Sequence, residues 1–133
     1  MSLNDDERRT LVRLEIEKAH DTFEEIELLC QGKKWNGAAN RVYYSVFHAV
    51  NALFIYDGIQ VNRHKASHAL FSKYYIKTGK LPPNFGRLYN NLQTLREKSD
   101  YNCFYKITEQ DVLDSVEQAR QFIEVVEQMI TKD

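Results

Sequence analysis

The segment from Asn36 to about Asp57 constrains this chain more than any other, because at helical spacing it is apolar around most of its circumference. A helix with so little polar surface must sit at the centre of a bundle or be shared with a partner. Its one interruption is a polar stripe. Arg41 and His48 lie seven residues apart, which is two helical turns, a rise of roughly 10.5 Å and a return to within about 20° of the same face. Tyr44 and Ser45 fall between them on that face, while Tyr43, Phe47, Val50 and Phe54 point elsewhere. Unpartnered polar groups are costly in a core. The stripe therefore either handles an anion such as a phosphate or is satisfied by internal partners.

The rest of the chain supplies helices to cover this one. Asn4 with Glu7 reads as a capping box, with Asp5, Asp6 and Glu7 suited to the positive end of a helix. From there Leu11, Leu14, Ala19, Phe23, Ile26 and Leu29/Cys30 trace an amphipathic stripe that Gly32 ends. After a loop at residues 58–63, a third helix is expected from about His64 to Thr78, with Ala69, Leu70, Tyr74 and Tyr75 for packing. Gly79-Lys-Leu-Pro-Pro83 is the clearest break, since proline cannot continue a helix interior. Asn84 can cap a fourth helix carrying Leu88, Leu92 and Leu95. An irregular stretch, Ser99 to Ile107, precedes a second capping box, Thr108 with Asp111. That box opens a fifth helix with Leu113, Val116, Ala119, Ile123, Val126 and Ile130 toward the core. No strand alternation, repeat or second domain interrupts residues 1–133. The expected fold is all-α, an antiparallel bundle of four main helices plus a shorter one.

Charge adds little: 18 basic against 19 acidic residues give a formal −1, so contact with RNA or nucleotide has to come from a local site. Cys30 and Cys103 are far apart and in no metal-ligand spacing. They read as small buried hydrophobes in a reducing cytoplasm. The N-terminus lacks the basic start and apolar core of a signal peptide, and no apolar run approaches the ~20 residues that cross a bilayer. A soluble cytoplasmic protein with no membrane partner is expected.

Other candidates are weaker. His64-Lys-Ala-Ser-His68 has i, i+4 spacing but no third ligand, so no metal and no cofactor is expected. His20 should face solvent. Arg96 and Asp100 can form a local salt bridge at the end of the fourth helix, or Arg96 can add a second cation to the site. The eight tyrosines fit packing better than base stacking. Lys73, Lys77, Lys80 and Arg87 form a modest basic patch near the prolines. Gly79-Lys80 is no phosphate loop, for neither a strand nor a glycine-rich turn precedes it.

Taken in order, Arg41-Val-Tyr-Tyr-Ser-Val-Phe-His48, Gly58-Ile, His64-Lys-Ala, Lys77-Thr-Gly-Lys-Leu-Pro, Gly86-Arg-Leu-Tyr-Asn and Leu95-Arg-Glu-Lys-Ser-Asp-Tyr101 resemble the HEPN family, specifically its small stand-alone prokaryotic branch. The resemblance runs from about residue 8 to 130. It implies a helical bundle that often dimerises, and in many members a genomic pairing with a minimal nucleotidyltransferase. In some members it implies a toxin that cleaves RNA without metal. The family signature is an arginine and a histidine separated by four to six residues, which here are Arg41 and His48, as catalytic pair. Tyr44, Ser45, His64 and Arg96 are the accompanying candidates for binding RNA or nucleotide phosphate. RNase members commonly place a polar residue directly after the arginine, where this chain has Val42, and several toxins place a tyrosine two positions after the histidine, where it has Val50. Three readings follow: a metal-independent endoribonuclease, a non-catalytic nucleotide-binding partner of a nucleotidyltransferase, and a structural interaction domain. In the third, Arg41 would pair with a carboxylate such as Asp100 and His48 would bond within the bundle.

Overall fold

The computed structural model describes residues 3–61, 64–101 and 104–131, with the side chains of His64 and Lys65 outside that description. Five helices follow one another: α1 (Asp5–Gln31), α2 (Trp35–Tyr56), α3 (His64–Phe71), α4 (Pro83–Tyr101) and α5 (Glu109–Thr131). A π-helical turn, Ser72–Ile76, continues α3. No strand occurs among the described residues, so the all-α expectation holds. None of their helices is long and apolar enough to cross a membrane.

The helix starts follow the local chemistry. Asn4 accepts from the Glu7 amide at 2.8 Å while Glu7 accepts from the Asn4 amide at 3.2 Å. Thr108 and Asp111 exchange the same pair of bonds at 2.9 and 3.1 Å. Replacing Asn4 by alanine should cost about 1 kcal/mol of stability, read as a lower denaturant midpoint at unchanged slope. Helix α4 begins at Pro83 rather than after Asn84. The first helical position needs no N–H donor, so proline is at home there. It also runs on through Ser99 to Tyr101, residues expected to be irregular. At the end of α1, Gly32 keeps an ordinary φ of −85°, and Lys33 takes the left-handed turn at φ 56°. Gly58 and Gly79, at φ 71° and 78°, occupy the left-handed conformations that glycine adopts without a steric cost.

Helix α2 is the centre of the bundle and packs against α1, α4 and α5. Half of it is buried, including Ala38, Ala39, Ala49 and Ala52, whose small side chains let neighbouring backbones approach. Helices α1 and α2 run antiparallel, as three cross-links of falling number show. Arg8 Nη1 donates to the Ile55 carbonyl at 2.8 Å, Glu15 meets His48, and Glu25 meets Arg41. The Arg8 cation thereby caps the negative end of α2. Around Phe122, fully buried, gather Phe71 and Phe85 with ring centroids 5.6 and 5.1 Å away.

Two stripes depart from periodicity only near their starts, at Leu11 and Leu14 in α1 and at Leu113 in α5. In α1 the buried residues are Val12, Ala19 and Ile26, with Ile16 and Phe23 partly covered, while Leu11 and Leu14 are exposed. In α5 Val112 is buried and Leu113 exposed. On α3 and its π turn, Phe71 and Tyr75 enter the core, while Ala69 and Tyr74 face outward. Cys30 is a free, partly buried thiol, raised in pKa by burial and then by Glu109. Cys103 lies outside the described residues.

Candidate functional site

Because α1 and α2 are antiparallel neighbours, the polar face of α2 meets carboxylates of α1. His48 Nδ1 lies 2.8 Å from Glu15 Oε2, with the two side chains 17% and 23% exposed. A carboxylate only accepts, so Nδ1 carries a hydrogen, and in a neutral ring the lone pair is then on Nε2. No protein group among the described residues bonds to that Nε2. Arg41 Nε lies 2.9 Å from Glu25 Oε2 in an ion pair, and both side chains are about half exposed, at 42% and 53%. Its two terminal nitrogens have no partner among the described residues.

Arg41 therefore pairs with Glu25, and Asp100 instead accepts from Arg96 at 3.0 Å. Arg41 and Asp100 nonetheless line one open hollow of about 770 Å³, together with Glu25, Asn36, Asn40 and Ser99. His48 is not in its wall. Among the described residues the two signature side chains share a face of α2 and line no hollow in common.

The accompanying residues sort differently. Ser45 is fully buried and donates to the Val42 carbonyl at 2.8 Å, so it leaves the open stripe. A serine hydroxyl that bonds back along its own helix is compatible with a core. Tyr44 is half-buried beside Arg96, whose guanidinium lies 5.8 Å from its ring and 5.0 Å from that of Tyr43. Arg96 is thus wedged between aromatic faces and Asp100, with its Nε buried and unbonded. His64 opens α3, but its side chain lies outside the described residues. Val42 and Val50, where RNase relatives were expected to carry polar side chains, are fully buried.

Sequence reasoning weighed His68 only as one half of a metal spacing. It stacks on Tyr89 with centroids 3.7 Å apart, its Nδ1 is 3.0 Å from Asn90 Oδ1, and its Nε2 is buried without a partner. Tyr89 in turn shares a hydrogen bond with buried Ser67 at 2.9 Å. Burial pushes the His68 pKa below its ordinary value of 6.5, helped by Arg96 and opposed by Asn90 and Glu97. A histidine with a depressed folded pKa binds fewer protons folded than unfolded, so stability falls as pH drops through 6.5 toward the folded value. His68→Phe should flatten that loss in denaturation curves recorded between about pH 7 and 5. The His64–His68 metal spacing involves a side chain outside the described residues; among those described, no group of three or more His, Cys, Asp or Glu is placed to hold a metal ion. His20 is 48% exposed and bridges to Glu127 at 2.8 Å. A larger hollow of about 1110 Å³ lies beside it, walled by Arg8, Arg13, Tyr56 and Glu127 and by neither signature residue.

These features define a small α-helical bundle whose central helix presents an arginine–histidine pair to the carboxylates of its neighbour. The chain belongs to the HEPN domain family, whose sequence profile matches residues 12–129. It is 27% identical over 124 residues to a UPF0332 protein of Thermotoga maritima, covering 93% of this chain and 94% of that one. Two Methanocaldococcus jannaschii proteins, each named as a "putative toxin", are also similar. One is 27% identical over 128 residues, 96% of this chain and 94% of its own; the other is 31% identical over 104 residues, 78% and 70%.

Proposed function

We propose that this chain is a toxin-type HEPN protein that engages RNA through Arg41 and His48 and cleaves it without metal. The observation that carries the reading is the His48–Glu15 pair, which orients the imidazole and leaves Nε2 without a protein partner among the described residues. The similarity to two proteins named as toxins supports a toxin-like class. In the reaction, Nε2 takes the ribose 2′-hydroxyl proton as 2′-oxygen attacks the adjacent phosphorus. The 5′-oxygen leaves with a proton from a second acid, giving a 2′,3′-cyclic phosphate. Arg41 offers its two terminal nitrogens to the phosphate oxygens as charge gathers on them.

Side chains of one helix lean the same way, so the pair on a single α2 stays roughly 10 Å apart. A homodimer that apposes two copies of α2 would place Arg41 of one subunit beside His48 of the other. The test is cleavage of end-labelled RNA in EDTA by wild type, Arg41→Ala and His48→Ala, with the two mutants also mixed. Cyclic-phosphate ends from wild type, loss in each mutant and partial recovery on mixing are expected. Folded mutants that cut as fast as wild type would sink the assignment.

A second reading has its own support. Both signature side chains already hold carboxylates, and among the described residues they line no common hollow. That arrangement suits a non-catalytic module that presents a nucleotide phosphate to a minimal nucleotidyltransferase. Nucleotide binding without RNA cleavage by the purified chain would favour it.

A further inference from the structure

A second hollow adjoins the one beside Arg41, and the two share Asn36 and Gly37. It is lined by Lys33, Lys34, Trp35, Asn36, Gly37, Lys106 and Ile107, three lysines and no carboxylate, in a chain with one more acid than base overall. The three lysines are exposed, and none is paired among the described residues. In the adjoining hollow Glu25 and Asp100 are already taken by Arg41 and Arg96. The positive end of α2 adds to the same field, for its first turn has no acidic residue and Lys34 gives it no side-chain cap.

Asp100, in the last turn of α4, is in the wall of one hollow, and Lys106, ahead of α5, is in the wall of the other. Next to Asp100 in sequence and two residues before Lys106 come the two most exposed large apolar side chains among the described residues, Tyr101 at 81% and Phe104 at 95%. Solvent-exposed aromatic rings together with cations that no carboxylate holds are what single-stranded nucleic acid requires, since bases stack on the rings while the cations follow the phosphates. An acidic peptide would use the lysines but has little call on the rings.

We infer that Lys33, Lys34 and Lys106, with the Tyr101 and Phe104 rings, form a track that holds single-stranded RNA on one side of the Arg41 hollow. The inference rests on the RNA reading above and names residues outside the arginine–histidine pair. The track fixes where a strand enters and leaves it to Arg41 and His48 to act on the phosphate that arrives.

The experiment is fluorescence anisotropy with a labelled single-stranded RNA dodecamer, in the His48→Gln background so that the probe stays intact. Lys33→Gln/Lys34→Gln/Lys106→Gln should weaken binding at least tenfold at low salt. It should also reduce the slope of log affinity against log salt by about 2, from roughly 0.7 for each of three phosphates. Tyr101→Ala/Phe104→Ala should weaken RNA binding about tenfold while leaving inorganic polyphosphate bound as before. All five side chains are exposed, so the folded state, checked by circular dichroism, should survive both sets. Unchanged affinity and slope in the lysine variant, with wild type binding RNA, would overturn the track alone. If wild type bound no RNA, the track would fall together with the RNA reading. Equal binding of polyglutamate and RNA, indifferent to loss of the rings, would overturn the track in favour of an acidic protein partner.

Discussion

Replacing His48 by glutamine should slow RNA cleavage by about 10²- to 10⁴-fold, the range that one positioned acid–base group contributes. Glutamine keeps the length and can still donate to Glu15, but it cannot exchange a proton near neutral pH. Single-turnover rates in EDTA on a fixed RNA measure the loss. A purely structural histidine would behave otherwise: the denaturation midpoint would fall while the rate per folded molecule stayed. Glu15→Gln separates the roles further, since it leaves the imidazole in place and removes only the charge that holds its Nδ1 hydrogen. Its effect on rate should be smaller than that of losing the ring. A Glu15→Gln rate equal to wild type, with His48→Gln inactive, would leave the histidine in the chemistry and take Glu15 out of it.

The largest effect on stability should come from Phe122→Ala, at about 3–5 kcal/mol. Phe122 is fully buried and joins Phe71 from the α3 side to Phe85 from the start of α4, so truncation opens a cavity where three elements meet. Against the ~5–15 kcal/mol that holds a domain together, such a loss can leave the chain marginal at 25 °C. Urea unfolding followed by circular dichroism would read it as a shifted midpoint. Leu113→Ala, on the same helix but 49% exposed, is the control and should change stability by less than about 1 kcal/mol. Equal losses at the two positions would mean that α5 packs through its other face.

What sequence could and could not reveal follows from how local each interaction is. Both capping boxes, the Arg96–Asp100 pair and the break at Pro82-Pro83 depend on groups three or four residues apart, and all were legible. So was the covered position of α2, because a helix that is apolar around most of its circumference needs neighbours on most sides. The stripes of α1 and α5 were not settled by period alone. Leu11/Leu14 and Val12/Ile16 are both apolar sets at helical spacing, and only the angle at which α2 and α5 arrive selects between them. The partners of the signature pair were hidden for a similar reason. Glu15 and Glu25 are ten residues apart on α1 and face groups seven apart on α2, a match fixed by interhelical register. Asp100 seemed a fair partner for Arg41, but Arg96, one turn before it on the same helix, reaches it without any long-range closure. Ser45 looked like a site residue because its residue type is polar, whereas its hydroxyl is spent within its own turn.

The carboxylates of α1 have a consequence for how ionic strength would act on this molecule. A cation on an ordinary surface is neutralised by mobile ions, and an arriving phosphate sets them free into bulk solution, which is why dilution of salt favours association. Arg41 carries its neutralising ion on a tether, Glu25, and His48 stands against Glu15 in the same way. A phosphate that displaces either one releases nothing to solution. The displaced charge stays within a side chain's length. Seen this way α1 is a built-in electrolyte, and only those cations without such a companion report the salt concentration outside.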